Sequence, residues 1–114
     1  MVIVSYSFGA MEIDGHLYTS DLIILPDGTI NADWWRAEGH RLTREDISTL
    51  IVAKPEIIVA GTGKVGLMKP EPALESYLKE KGIQLEVMPT AEAVKRFNEL
   101  ARDHQVGGCF HLTC

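Results

Sequence analysis

Two apolar runs constrain this chain more than any other feature. Leu22–Leu25 and Ile57–Ala60 each set four apolar residues in a row, without the alternation that marks a strand with one wet face. Both runs are short, and both end in turn chemistry: Pro26-Asp27-Gly28-Thr29 after the first, Gly61 after the second. Such strands are buried on both faces, so they predict a sheet with a covering layer on either side.

The segments around these runs set the order of elements. Residues 2–8, rich in β-branched and aromatic types, read as a strand. "MEIDGHLY" reads as a hairpin, because Asp14-Gly15 is a strong type I′ turn signal. Thr43-x-x-Asp46 resembles a capping box, and Ile47, Leu50 and Ile51 give one apolar stripe before Pro55 stops the helix. A second helix is expected to begin near Pro70 or Pro72, with Leu74, Tyr77 and Leu78 facing inward and Gly82 as its C-cap residue. "IQLEVM" alternates, placing Ile83, Leu85 and Val87 on one face. Thr90 is expected to cap a third helix that buries Ala93, Val94, Phe97, Leu100 and Ala101. "VGGCFHLTC" closes the chain as a strand. A β-rich first third is therefore followed by αβαβαβ, which implies a mostly parallel or mixed sheet, with the early hairpins as a second layer or an edge. At 114 residues the chain is expected to form a single domain, 1–114.

Gly61-Thr62-Gly63-Lys64-Val65-Gly66 spells G-x-G-x-x-G, the dinucleotide fingerprint. Its placement after a strand fits, and Glu86 lies near where a ribose-binding acid belongs. Two features oppose that reading. Leu67, Met68, Lys69 and Pro70 separate the third glycine from any helix, so no helix N-terminus can meet a pyrophosphate. Only one βαβ unit carries the motif, and the chain is too short for a second half. A P-loop fails as well, since Leu67 and Met68 stand where Lys and Ser/Thr are needed. The loop reads better as a tight connection that needs glycine for positive φ. Its backbone N–H groups, Thr62 and Lys64 still lie at the carboxyl end of a strand, where α/β sheets bind ligands and where a small anion could sit.

"WWRAEGHR" adds a second candidate. At least one of Trp34 and Trp35 is expected in the core; Arg36 and Arg41 are forks for carboxylate or phosphate, and His40 follows a glycine beside them. Along the final strand Cys109, His111 and Thr113 share one face, and Phe110, Leu112 and Cys114 the other. An extended segment holds the two cysteines about 16 Å apart, which excludes a disulfide between them. Cys109 and His111 could chelate an ion as a pair, but no CxxC or HxxxH supplies further ligands, and no metal is assigned.

Charge bounds the partners. The formal net charge is −5, and residues 1–35 hold five acids and no Lys or Arg. An acidic face repels phosphate backbones, so nucleic acid is not expected. No apolar run approaches the roughly 18 residues of a membrane span. The N-terminus carries no basic leader, and a cytoplasmic location is expected.

Several stretches together resemble the domain-of-unknown-function 498 family: "YTSDLIILPDGTI", "WWRAEGHRLTREDI", "IIVAGTGKVGLM", "KGIQLEVMPTAEAVKRFNEL" and "VGGCFHLTC". That family contains bacterial and archaeal single-domain proteins, the respiratory complex I assembly factor 3 group of mitochondria, and the adipogenesis-associated domain proteins of animals. The resemblance implies a three-layer α/β fold: a central mixed sheet, helices on one side, and a small N-terminal β-hairpin layer on the other. It brings no established enzymatic activity, so enzyme status stays open, leaning to none, with no catalytic residue or cofactor assigned. It implies a protein-interaction or assembly module with a protein partner, as a monomer or weak homodimer. The alternative is a small-ligand or anion-binding protein using the Gly61–Gly66 loop. The candidate ligand-binding residues are Trp35, Arg36, His40, Gly61, Thr62, Gly63, Lys64, Gly66, Thr90 and His111.

Overall fold

The structure is a computed structural model, and it describes residues 2–114. Strands β1 (Ile3–Ser7), β2 (Ala10–Ile13) and β3 (His16–Tyr18) form a small antiparallel sheet. Asp14 and Gly15, at φ 48° and 86°, turn β2 into β3 as the Asp-Gly pair demands. A turn through Gly28, at φ 93°, then joins β4 (Leu22–Ile24) to β5 (Ile30–Asn31).

The central sheet has five strands in the order β5-β4-β10-β7-β9, where β7 is Ile57–Thr62, β9 is Gln84–Met88 and β10 is Val106–His111. β7 runs parallel to both β9 and β10, whereas β4 is antiparallel to β10. The sheet is mixed, as the element order implied. Both apolar runs lie in it and are buried on both faces: Leu22 and Ile24 on one side, Ile23 on the other.

Two cores sandwich this sheet. One contains Ile58, Ala60 and Cys109 with Ile47 and Leu50 of the α1 region (α1, Ser48–Val52) and Leu74 and Leu78 of α2 (Leu74–Glu80). The other packs Val59 and Phe110 against Ile3, Met11 and Ile13 of the small sheet and against Ala93, Phe97 and Leu100 of α3 (Thr90–Leu100). The three layers are those the family resemblance implied, except that α3 lies in the outer layer with the small sheet and not with the other helices. The small sheet is too narrow to cover five strands, and α3 closes the remainder, its Phe97 meeting Phe110 edge to face at 5.7 Å.

Local chemistry accounts for the element ends. The Thr43 N–H donates to Asp46 Oδ2 at 2.9 Å and the Asp46 N–H to Thr43 Oγ1 at 3.3 Å, a reciprocal capping box that holds the turn leading into α1. Gly82, at φ 77°, ends α2 with the Ile83 N–H on Leu78 O and its own N–H on Lys79 O, a Schellman pair.

Three local expectations are corrected. The second helix begins at Leu74, because Lys69–Pro70 is instead a short strand, β8, parallel to β6 (Arg41–Leu42). Pro70 fits there because the bonding amides are its neighbours: Lys69 N–H donates to His40 O and Glu71 N–H to Leu42 O. Thr90 is not the cap of α3; Pro89 occupies that position, and the Thr90 hydroxyl is used elsewhere. Val87 is 38% exposed, because β9 is the edge of the sheet and α2 covers only Ile83 and Leu85.

Candidate functional site

The carboxyl ends of β7 and β10 lie side by side, with His111 opposite Thr62. Strand alternation turns both side chains to the face of Cys109, away from Phe110. His111 is 6% exposed there. Its Nδ1 lies 2.8 Å from Asp21 Oδ2, and Arg36 Nη1 lies 2.9 Å from the same oxygen. The Leu112 N–H donates to Asp21 Oδ1 at 2.8 Å. Arg36 is clamped from its other side. Its Nε and Nη2 donate to Gly39 O at 3.2 and 2.9 Å, and its guanidinium lies 4.6 Å above the Trp34 ring. Trp34 is in turn fixed by its Nε1–H on Asp46 O.

Three donors thus converge on one carboxylate. Burial pushes Asp21 up, but the Leu112 N–H, His111 and Arg36 outweigh it and hold the carboxyl below its usual range. Asp21 is ionised at neutral pH and accepts a hydrogen bond from the ring, so Nδ1 is assigned a hydrogen. Arg36 Nη2, 3.1 Å from Nδ1, is then a neighbour that donates to Gly39 O rather than to the ring, while Nη1 reaches the acceptor shared with His111, Asp21 Oδ2. His111 Nε2 is buried without a hydrogen-bond partner among the described residues. It is an oriented, unpartnered ring nitrogen, and the His40 ring stands edge-on to the His111 ring at a centroid distance of 6.1 Å.

The glycine loop packs directly on this cluster. Gly63 has φ 100°, and a Cβ there would lie 2.6 Å from Thr113 O and 2.8 Å from His111 Cδ2. A Cβ on Gly61 would meet Thr90 Oγ1 at 2.9 Å and Phe110 at 3.0 Å. Close approach explains both glycines without any ligand. Three amides of this segment are committed as well. Gly63 N–H donates to Thr90 Oγ1 at 2.9 Å, Lys64 N–H to Thr113 O at 2.9 Å, and Met68 N–H to Thr62 O at 3.1 Å. The Thr90 hydroxyl donates to His111 O at 2.7 Å, so one buried oxygen ties the loop to β10.

Of the sequence candidates, Arg36, His40, Thr62, Gly63, Thr90 and His111 therefore converge. Gly61 lies beneath the loop as packing. Trp35, 78% exposed, and the exposed Lys64 lie on its outside, whereas Gly66 is buried between Thr62 and Pro89. The two described cavities lie elsewhere, one beside β9 and one at the far end of β10. Asp21 is the residue the sequence reading missed. Its only signal is an acid immediately before a fully buried strand. Cys109 is buried, which drives its thiol up to about 12, so it stays protonated. Both cysteines are free, and no group of three or more His, Cys, Asp or Glu among the described residues is placed to share an ion.

Fold and cluster together describe a mixed α/β domain whose parallel strand ends are locked by a buried Asp–Arg–His group under a glycine loop. The chain belongs to the family described as "Protein of unknown function (DUF498/DUF598)", which matches residues 3–111. It is 29% identical over 107 residues to the mouse protein named NADH dehydrogenase (ubiquinone) 1 alpha subcomplex assembly factor 3, covering 91% of this chain and 56% of that one. The human protein of that name is 28% identical over 111 residues, covering 95% and 58%. The chain thus spans little more than half the length of these relatives. Among solved structures, the conserved hypothetical protein PH1505 from Pyrococcus horikoshii OT3 superposes with TM-score 0.85 at 26% identity, over 100% of both chains. A structure described as an outer membrane protein from Bartonella henselae gives TM-score 0.81 at 29% identity, over 98% of this chain and 94% of that one.

Proposed function

We propose that this protein is a non-enzymatic interaction module of the assembly-factor type, docking a protein partner at the carboxyl end of its parallel strands. The observation that carries the reading is the kinship with two mammalian proteins named as assembly factors, over more than 90% of this chain. The surface supports it. Trp35, Val65 and Leu67 are 78%, 65% and 45% exposed, on the two loops that meet at the buried cluster. Large exposed apolar side chains on a braced base suit a protein interface, where Trp is enriched. The cluster is then a brace: its charges are spent on one another, and the Gly63 and Lys64 amides on the fold. Taken as one domain in the cytoplasm, with no nucleic-acid partner, the module fits its net charge of −5. No described helix is long and apolar enough to cross a membrane.

The test is crosslinking of the tagged chain at native expression, followed by quantification of what is recovered. A partner recovered with the wild type and lost with the folded double variant Trp35→Ala, Val65→Ser supports docking at this end. Recovery indistinguishable from the tag alone, or unaffected by that variant, refutes it.

A further inference from the structure

β9 is an unpaired edge, and its register shows which of its backbone groups are free. The Gln84 N–H donates to Glu56 O, on the β7 side, and Gln84 pairs with Ile57. Backbone groups alternate direction along a strand. Gln84, Glu86 and Met88 therefore bond to β7, while the N–H and C=O of Leu85 and Val87 point outward, and neither residue appears in any other described backbone bond. Edges of this kind are usually blunted by Lys, Pro or a bulge. Residues 84–88 have none of these. Beside the edge, between α2 and β9, runs an open groove of about 650 Å³ lined by Ile83 and Leu85, with Glu75 and Lys79 on the α2 side.

We infer that β9 pairs with β9 of a second copy of this chain, antiparallel about a two-fold axis through Glu86, making one continuous ten-stranded sheet. The register is self-consistent. An antiparallel pair alternates bonded and non-bonded positions. With the axis at Glu86, the outward-pointing Leu85 falls opposite Val87 of the second copy, and Val87 opposite its Leu85. Each of those pairs exchanges two hydrogen bonds, while the inward-bonded Glu86 residues face each other in the non-bonded position. Val87, 38% exposed in one chain, then covers Leu85 of the other and closes the end of its groove.

The charges fit the same axis. Two opposed carboxylates would repel. Here each Glu86 holds its own Arg96 in a fork, with Nε to Oε1 at 2.6 Å and Nη2 to Oε2 at 3.1 Å. The axis thus brings together two acids and two bases of alternating sign, on the α3 face, while on the α2 face β9 presents Leu85 and Val87. A two-fold contact has to be self-complementary in this way. The contact uses the backbone edge of β9, whereas the proposed docking rests on Trp35, Val65 and Leu67, so either inference can fail alone.

The experiment is sedimentation equilibrium from about 10 µM to about 1 mM chain, with amide hydrogen exchange of Leu85 and Val87 at both ends of that range. The expected result is a monomer–dimer equilibrium in which those two amides slow with concentration and those of β5 do not. Arg96→Ala leaves two bare carboxylates opposed and should raise the dissociation constant at least about tenfold. Val87→Pro removes an outward N–H that β7 does not use, and should leave a folded monomer; if it does not fold, Val87→Asp carries the same test. A monomer throughout the range overturns the inference. So does a dimer that persists in the folded Val87 variant.

Discussion

The Gly61–Gly66 loop and the Asp21–Arg36–His111 cluster touch each other, yet they are built in opposite ways. The loop is local: six consecutive residues with a recognisable spelling, held by backbone bonds to Thr90, Thr113 and Thr62. The cluster is non-local. Its arginine and histidine stand 75 positions apart, and its aspartate is 90 positions from the histidine. The part that looks like a ligand site is spent on packing. The part without a motif holds the buried charge, an orphaned imidazole nitrogen and the most strongly bonded carboxylate of the region. Polar chemistry at this end of the sheet thus comes from topology, which brings β4, the segment after β5 and β10 to one place, and the glycines let the loop lie close upon it.

The sharpest way to break that contrast is to unbalance the cluster. Arg36→Ala should cost about 3 kcal/mol, because it leaves Asp21 buried with one cationic partner fewer; urea unfolding measures it. A loss no greater than that of an exposed surface substitution would make the ion pair incidental. Within the loop, Gly63→Ala should cost about 2 kcal/mol, since it combines a φ of 100° with contacts of 2.6 Å and 2.8 Å to Thr113 and His111. Gly66→Ala, at φ 74° but with no atom nearer than 3.5 Å, should cost about 1 kcal/mol. Equal costs would mean that conformation alone, and not approach to His111, selects the glycines. Thr90→Val should cost about 1–2 kcal/mol by leaving the Gly63 N–H and the His111 carbonyl without their shared partner, read by the same unfolding curves.

Legibility followed the same divide. Elements whose cause is local were readable: the Asp14-Gly15 hairpin, the capping box at Thr43 and Asp46, the Gly82 helix end and the two buried runs. That at least one of the two tryptophans is core was readable too, though not that Trp34 is the buried one and Trp35 the exposed one. Pro70 was misread because proline opens helices and also sits in short strands where its neighbours carry the bonding amides; only the partner strand decides. Thr90 was misread because a threonine before a helical stripe looks like a cap, yet Gly63 and His111, distant in sequence, claimed its hydroxyl. Val87 followed the alternation of its strand, but exposure depends on which strand is the sheet edge. Asp21 was invisible for the strongest reason, since all three of its donors lie at 15 or more positions along the chain. Arg36, His40 and His111 were visible as residue types, and their meeting was not.

The central claim is that an ionised Asp21 braces the carboxyl end of the sheet, and stability as a function of pH tests it most directly. A carboxyl whose folded pKa lies below its unfolded value of 3.8 adds stability above that value, and this is lost as pH falls through the folded pKa. The unfolded chain binds more protons in that window, so stability must rise with pH there. Urea unfolding of the wild type and Asp21→Asn should therefore give a difference that is largest near neutral pH and shrinks as pH falls below 3.8. A difference that stays constant across the acid limb would contradict the account, because Asp21 would then contribute through packing and not through its charge.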